Sequence, residues 1–128
     1  RLFYLTGDPA WRDEAEFVID AFASEMGRNF VGIATLLAGA EFLETAVQVV
    51  IIGRRGETAT DTLINATFAA PEPNRLLVVV DPDQALPSAH PANGKTQTGG
   101  QATAYVCRGP VCSLPVTGGG DLTKLLGG

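Results

Sequence analysis

Long apolar runs, basic clusters, cysteine and histidine are what this 128-residue sequence has least of, and each scarcity excludes something. No apolar run approaches the roughly 20 residues of a membrane helix, so no membrane partner is expected. Lys and Arg total 9 against 14 Asp and Glu, and no basic cluster exceeds the pair Arg54-Arg55. A nucleic-acid footprint is therefore not expected either. The two cysteines are too few for a disulfide scaffold. His90 is the only histidine, and nothing ties it to a nucleophile, so no catalytic triad or Cys–His pair is read. No segment combines a basic start, an apolar stretch and a cleavage site, which sets the expectation of a cytoplasmic protein.

What is present is a foldable composition. Apolar residues make up 45% and charged residues 18%, well away from the disordered range. A chain of this length can bury roughly two-thirds of its unfolded surface. It opens at Arg1 and runs straight into Leu2-Phe3-Tyr4-Leu5, which reads as the interior of a helix from which preceding sequence has been removed.

Periodicity divides the chain near residue 45. Residues 1–5 end one helix, and Thr6-Gly7 breaks it. Asp8 is an N-cap and Pro9 a first helical residue. Trp11, Ala15, Val18, Ile19, Phe22 and Met26 then recur in steps of three and four, a core stripe on a helix that Gly27 ends. A second helix runs from Phe30 to Glu44, with Ile33, Leu36, Leu37, Ala40 and Leu43 as its stripe and Gly32 and Gly39 as points of close approach. The short link at Gly27 to Asn29 makes the two helices antiparallel neighbours.

Beyond residue 45 the pattern is β-branched. Val47 to Ile52, closed by Gly53, reads as a buried strand. A helix from Glu57 to Ala69 follows, with Leu63, Ile64, Thr67 and Phe68 inward, stopped by Pro71 and Pro73. Leu76 to Val80 is a second buried strand. Strand, helix and strand make a βαβ unit with parallel strands and a right-handed crossover. Residues 83–101 are Pro- and Gly-rich and read as a long exposed loop. Thr103 to Cys107 is a third strand, and a turn at Arg108-Gly109-Pro110 leads to Val111-Cys112-Ser113-Leu114. Asp121 caps a last helix to Leu126, and Gly127 stops it. The fold class is α/β: an antiparallel helical hairpin over residues 1–45, then an α/β module over 46–128.

Three clusters could carry chemistry. Cys107 and Cys112 are separated by four residues, where zinc and thioredoxin-type centres favour two. A structural or incidental role comes first, a disulfide or redox role second, and metal last. The turn at Gly109-Pro110 brings the sulfurs into bonding range if its flanks pair as a hairpin. Gly53-Arg54-Arg55-Gly56 lies between strand and helix, where anions bind. It matches neither G-x-G-x-x-G nor the P-loop, and it reads first as a solvated turn, with an anion site at Arg54 and Arg55 as the rival. Asp81 and Asp83 follow a strand end and read as turn formers. No metal or cofactor is assigned.

The segment Ala104-Tyr105-Val106-Cys107-Arg108-Gly109-Pro110-Val111-Cys112-Ser113-Leu114-Pro115-Val116-Thr117 resembles the C-terminal signature of the thioredoxin domain-containing proteins related to spermatogenesis-associated protein 20. Its core is Tyr-x-Cys-x4-Cys-x2-Pro-x-Thr. Val47 to Gly53, Pro73 to Val80 and Leu5-Thr6-Gly7-Asp8-Pro9-Ala10-Trp11 are similar to other parts of that family. Gly118-Gly119-Gly120 departs from it, and residues 87–101 are longer than its norm.

The resemblance implies an N-terminal thioredoxin-like domain and an α/α toroid similar to six-hairpin glycosidases, the first and most of the second outside this chain. Residues 1–45 would be the remnant of that toroid. The expected role is a non-catalytic accessory segment packed against the toroid, with its exposed helix face also able to form a homodimer. The rivals are a share in a carbohydrate-active site and thiol–disulfide exchange through Cys107 and Cys112.

Overall fold

The computed structural model describes residues 1–26, 28, 31 and 33–127. Gly27, Asn29, Phe30 and Gly32, on which the expected helix end, link and second-helix start fall, lie outside the described residues, as does the Met26 side chain.

In chain order the elements are α1 (Leu2–Thr6), α2 (Ala10–Ala21), α3 (Ala23–Met26), α4 (Ala34–Thr45), β1 (Val47–Ile52), α5 (Thr58–Ala69), β2 (Arg75–Val80), β3 (Thr103–Arg108), β4 (Val111–Cys112) and α6 (Gly119–Gly127). The four strands form one mixed sheet in the order β2-β1-β3-β4. β1 and β2 are parallel, with Val47 opposite Arg75 and Ile52 opposite Val80. β1 and β3 are antiparallel, with Gln48 opposite Cys107.

β1 is buried along its whole length, as its β-branched run requires of a strand covered on both faces. On one face Val47, Val49 and Ile51 meet Ala104 and Val106 of β3, Leu63 of α5, and Leu122 and Leu126 of α6. On the other, Val50 and Ile52 meet Leu76, Val78 and Val80 of β2, with Tyr4, Phe42, Leu86 and Ala92 packed over them. The sheet is thus the middle of three layers. Each fully buried Val, Leu or Ile contributes about 1.5–3 kcal/mol relative to exposure.

α1 ends as its Gly signal requires: Gly7 is left-handed at φ 74° and donates its N–H to the Phe3 carbonyl at 2.8 Å. Asp8 accepts the Ala10 N–H at 3.0 Å, but α2 starts one residue later than expected, with Pro9 rather than Asp8 as its N-cap. Arg12, near the start of α2, reaches Glu44, near the end of α4, at 3.7 Å. Phe22 and Ile33 share a groove at the other end, so α2 and α4 run in opposite directions. The first 45 residues also join the sheet's core: the Tyr4 hydroxyl donates to the Leu43 carbonyl at 2.7 Å, and Gln48 Nε2 donates to the Tyr4 carbonyl.

Several expectations change. The stripe on α2 is not core: no residue of α2 is buried; Ala15 and Ile19 are half-buried toward α4, while Trp11 and Phe22 are 46% and 49% exposed. The expected single helix breaks at Phe22, between α2 and α3. Of the α4 stripe only Leu43 is buried. On α5 the inner side is Thr60, Leu63 and Thr67, whereas Phe68 is exposed. Five residues on from Leu63 is about 140° round the helix, which carries Phe68 off the buried face. The loop over residues 83–101 is not wholly exposed, since Ala92 is buried against the sheet. α6 begins at Gly119 rather than at Asp121, because Gly118 accepts the Leu122 N–H and Gly119 lies close against Thr62 and Ala66 of α5.

Candidate functional site

β3 and β4 form a hairpin at the sheet edge, with Arg108 opposite Val111 and Cys107 opposite Cys112. A two-residue connection needs a residue that tolerates positive φ, and Gly109 supplies it at 56°. The Ser113 N–H donates to the Val106 carbonyl at 2.8 Å. The Cys107 and Cys112 pair therefore falls in the narrow, non-hydrogen-bonded register of the ladder, where facing side chains come closest. The two sulfurs are bonded as a disulfide, with the Cα atoms 3.9 Å apart. The pair is asymmetric: Cys107 is 4% exposed and faces inward beside Gln48, while Cys112 is exposed on the edge strand. A cleft of about 310 Å³ adjoins the buried half, walled by Phe3, Tyr4, Gln48, Pro91, Cys107 and Pro110.

The strand-end cluster lies elsewhere on the sheet. β1 and β2 are parallel and in register, so Gly53-Arg54 leaves the sheet beside Asp81. Arg54 Nε donates to Asp81 Oδ2 at 3.3 Å and its Nη2 pairs with Asp83. Asp81 foremost, then Asp83, holds the guanidinium above its usual range. An anion arriving at Arg54 would compete with two carboxylates, while Arg55 stands exposed on the same turn. Asp81 also forms the expected turn, its Oδ1 accepting the Asp83 N–H at 3.3 Å. That ion-pair cluster was findable from the parallel pairing, which puts the residues after two strand ends side by side.

Beneath the same turn, Thr60 Oγ1 is buried without a hydrogen-bond partner. A Cβ on Gly53 would come within 2.4 Å of it, so that position needs glycine. His90 stays in the loop, its Nδ1 accepting the Ala92 N–H at 3.1 Å. No group of three or more His, Cys, Asp or Glu that could hold a metal occurs among the described residues. No helix among them is long and apolar enough to cross a membrane.

One further surface feature is apolar. Phe17 is 71% exposed on α2, beside half-exposed Trp11, Val18 and Phe22. Between α2 and α4 lies a groove of about 610 Å³ lined by Ala15, Val18, Ile19, Leu36, Gly39 and Phe42, among others.

Fold and surface define an α/β segment with the central strand β1 buried on both faces, one helical face open, and a cystine-closed hairpin at the sheet edge. Over 98% of its length the chain is 32% identical to spermatogenesis-associated protein 20 of Homo sapiens, and 29% and 28% identical to the proteins of that name from Rattus norvegicus and Mus musculus. The chain is related to the spermatogenesis-associated protein 20 family, as its Cys-x4-Cys segment indicated. It spans 16% of the length of these relatives. No protein-family model and no solved structure matches it.

Proposed function

We propose that this chain is a non-catalytic accessory segment of a larger cytoplasmic protein, seated through the open face of α2 and α4 on other helices of its parent. The α/α toroid implied by the family resemblance is the partner this reading assigns. The supporting observation is the uncovered apolar face around Phe17, Trp11, Val18 and Phe22, on a chain that spans 16% of its relatives' length. Exposed apolar patches of this kind mark interaction surfaces. The carbohydrate-active alternative would place its acid and base in the rest of the parent, with this segment contributing support.

The test compares the 128-residue chain alone and co-expressed with the remainder of its parent. Alone, it should bind a hydrophobic dye or self-associate in the ultracentrifuge, and both behaviours should vanish once the parent's helices are supplied. A stable monomer that ignores the dye would overturn the proposal.

A further inference from the structure

We propose that Cys107–Cys112 is a thiol–disulfide exchange site entered through Cys112, with a protein dithiol as its redox partner. The inference rests on the hairpin's geometry and is independent of the docking face.

Access comes first. A thiolate must approach one sulfur directly, and Cys107, 4% exposed, is far less accessible than Cys112, which is exposed on the edge strand. In the non-hydrogen-bonded register, the N–H and C=O of Cys112 point away from β3, out of the sheet edge. Val111 and Leu114 beside it are 70% and 85% exposed. An extended segment carrying the attacking thiol thus meets free backbone groups and two apolar side chains next to the sulfur it attacks.

The second requirement is that the bond can open without dismantling the edge. The Ser113 N–H donates to Val106, the Val106 N–H donates to Ser113 Oγ, and Ala104 and Val116 exchange backbone bonds at 2.8 and 3.0 Å. These tie residues 113–116 to β3 whether or not the sulfurs are joined. The inner cleft leaves room for the Cys107 thiol after cleavage.

The exchange balances as two displacements. The partner's first thiolate attacks Cys112 Sγ, the Cys107–Cys112 bond breaks, and the electron pair leaves on Cys107 Sγ, which takes up a proton. The partner's second thiolate then attacks its own sulfur in the mixed disulfide and expels Cys112 as a thiolate, which is protonated in turn. Two electrons pass from the dithiol, now a disulfide, to this chain, now a dithiol; the reverse sequence oxidises the partner.

The test is made on the parent chain. It is equilibrated with dithiothreitol, pulse-alkylated with an isotope-coded reagent and digested with trypsin, which cuts after Arg108 and so separates the two cysteines. Cys112 should label at least tenfold faster than Cys107, under native conditions and at millimolar reductant. As a second measure, the free thiol left in Cys107→Ser should attack a small activated disulfide such as a pyridyl disulfide, expelling the pyridinethiolate, at least tenfold faster than that left in Cys112→Ser. Equal labelling of the two, faster labelling of Cys107, or a bond that opens only in denaturant would each overturn the proposal, the last making it a permanent clasp.

Discussion

Cleaving Cys107–Cys112 should lower the stability of this chain by about 2 kcal/mol and leave its fold in place. The loop it closes is short, with a sequence separation of 5. In the chain-entropy treatment such a loop removes about 7 cal/mol/K from the unfolded ensemble, or about 2 kcal/mol at 25 °C. Domains of this size have total stabilities of about 5–15 kcal/mol, so the reduced chain still folds. With an unfolding entropy near 2.1 cal/mol/K per residue, the midpoint should fall by about 7 °C. The assay is paired guanidinium and thermal unfolding with and without reductant, followed by far-ultraviolet circular dichroism. An unchanged midpoint would mean that the bond contributes nothing. Loss of the cooperative transition would mean that the cystine, and not the backbone bonds of residues 113–116, holds the sheet edge.

Leu63→Ala, at a site with no solvent exposure, should cost about 2–5 kcal/mol in denaturant melts. Gly7→Ala should destabilise by about 1–2 kcal/mol from its left-handed backbone alone, and by more because a Cβ would come within 1.7 Å of the Ala89 carbonyl oxygen; a neutral effect in the same melts would refute that approach. Burial raises the Tyr4 phenol above its usual value, against the lowering influence of Arg12 and with a smaller rise from Glu44. The folded state then holds this proton longer than the unfolded state, so stability should fall as pH rises through about 10, and Tyr4→Phe should remove that slope. Lys95, lowered by burial, acts in the opposite sense just below about 10.5, so the slope is read as the difference between wild type and Tyr4→Phe. Phe17→Ala should change the isolated chain by no more than about 0.5 kcal/mol, yet weaken the assembled parent by about 1.5–3 kcal/mol, measured by the same melts on each.

The α/β class was legible because backbone requirements and side-chain pattern agree over β1, α5 and β2. A six-residue β-branched run, an amphipathic crossover and a second such run leave few alternatives, and the parallel register followed. A turn at Arg108-Gly109-Pro110 was legible too, but the structure keeps Arg108 in β3, shortens the connection to Gly109-Pro110 and adds β4 as a fourth strand that the sequence reading lacked. Whether Cys107 and Cys112 are bonded was not legible, because spacing alone does not give the register that sets them face to face. The helix stripes misled for a different reason. Steps of three and four say that a face is apolar, not which neighbour covers it. On α4 it is Phe42 that packs over the sheet while Leu43 turns toward α2, and on α2 Trp11 stays half-exposed. Thr60 escaped notice because a threonine at a helix start reads as polar surface, whereas here it is pressed against Gly53.

The distribution of that uncovered surface says more than its extent. Successive residues on a helix are about 100° apart. Phe17 and Val18 are both exposed, so α2 presents apolar side chains over two adjoining arcs, with Trp11 and Phe22 extending the second. A helix at the outer rim of a protein needs one apolar face, turned inward; one apolar over a wider arc belongs inside a helical array. α2 touches α1, α3 and α4 but buries no residue against them. A second copy seated in the α2–α4 groove would cover the arc holding Val18 and leave Phe17 in water, whereas helices on two sides would cover both. The width of the apolar arc therefore favours insertion into a larger set of helices over a simple homodimer.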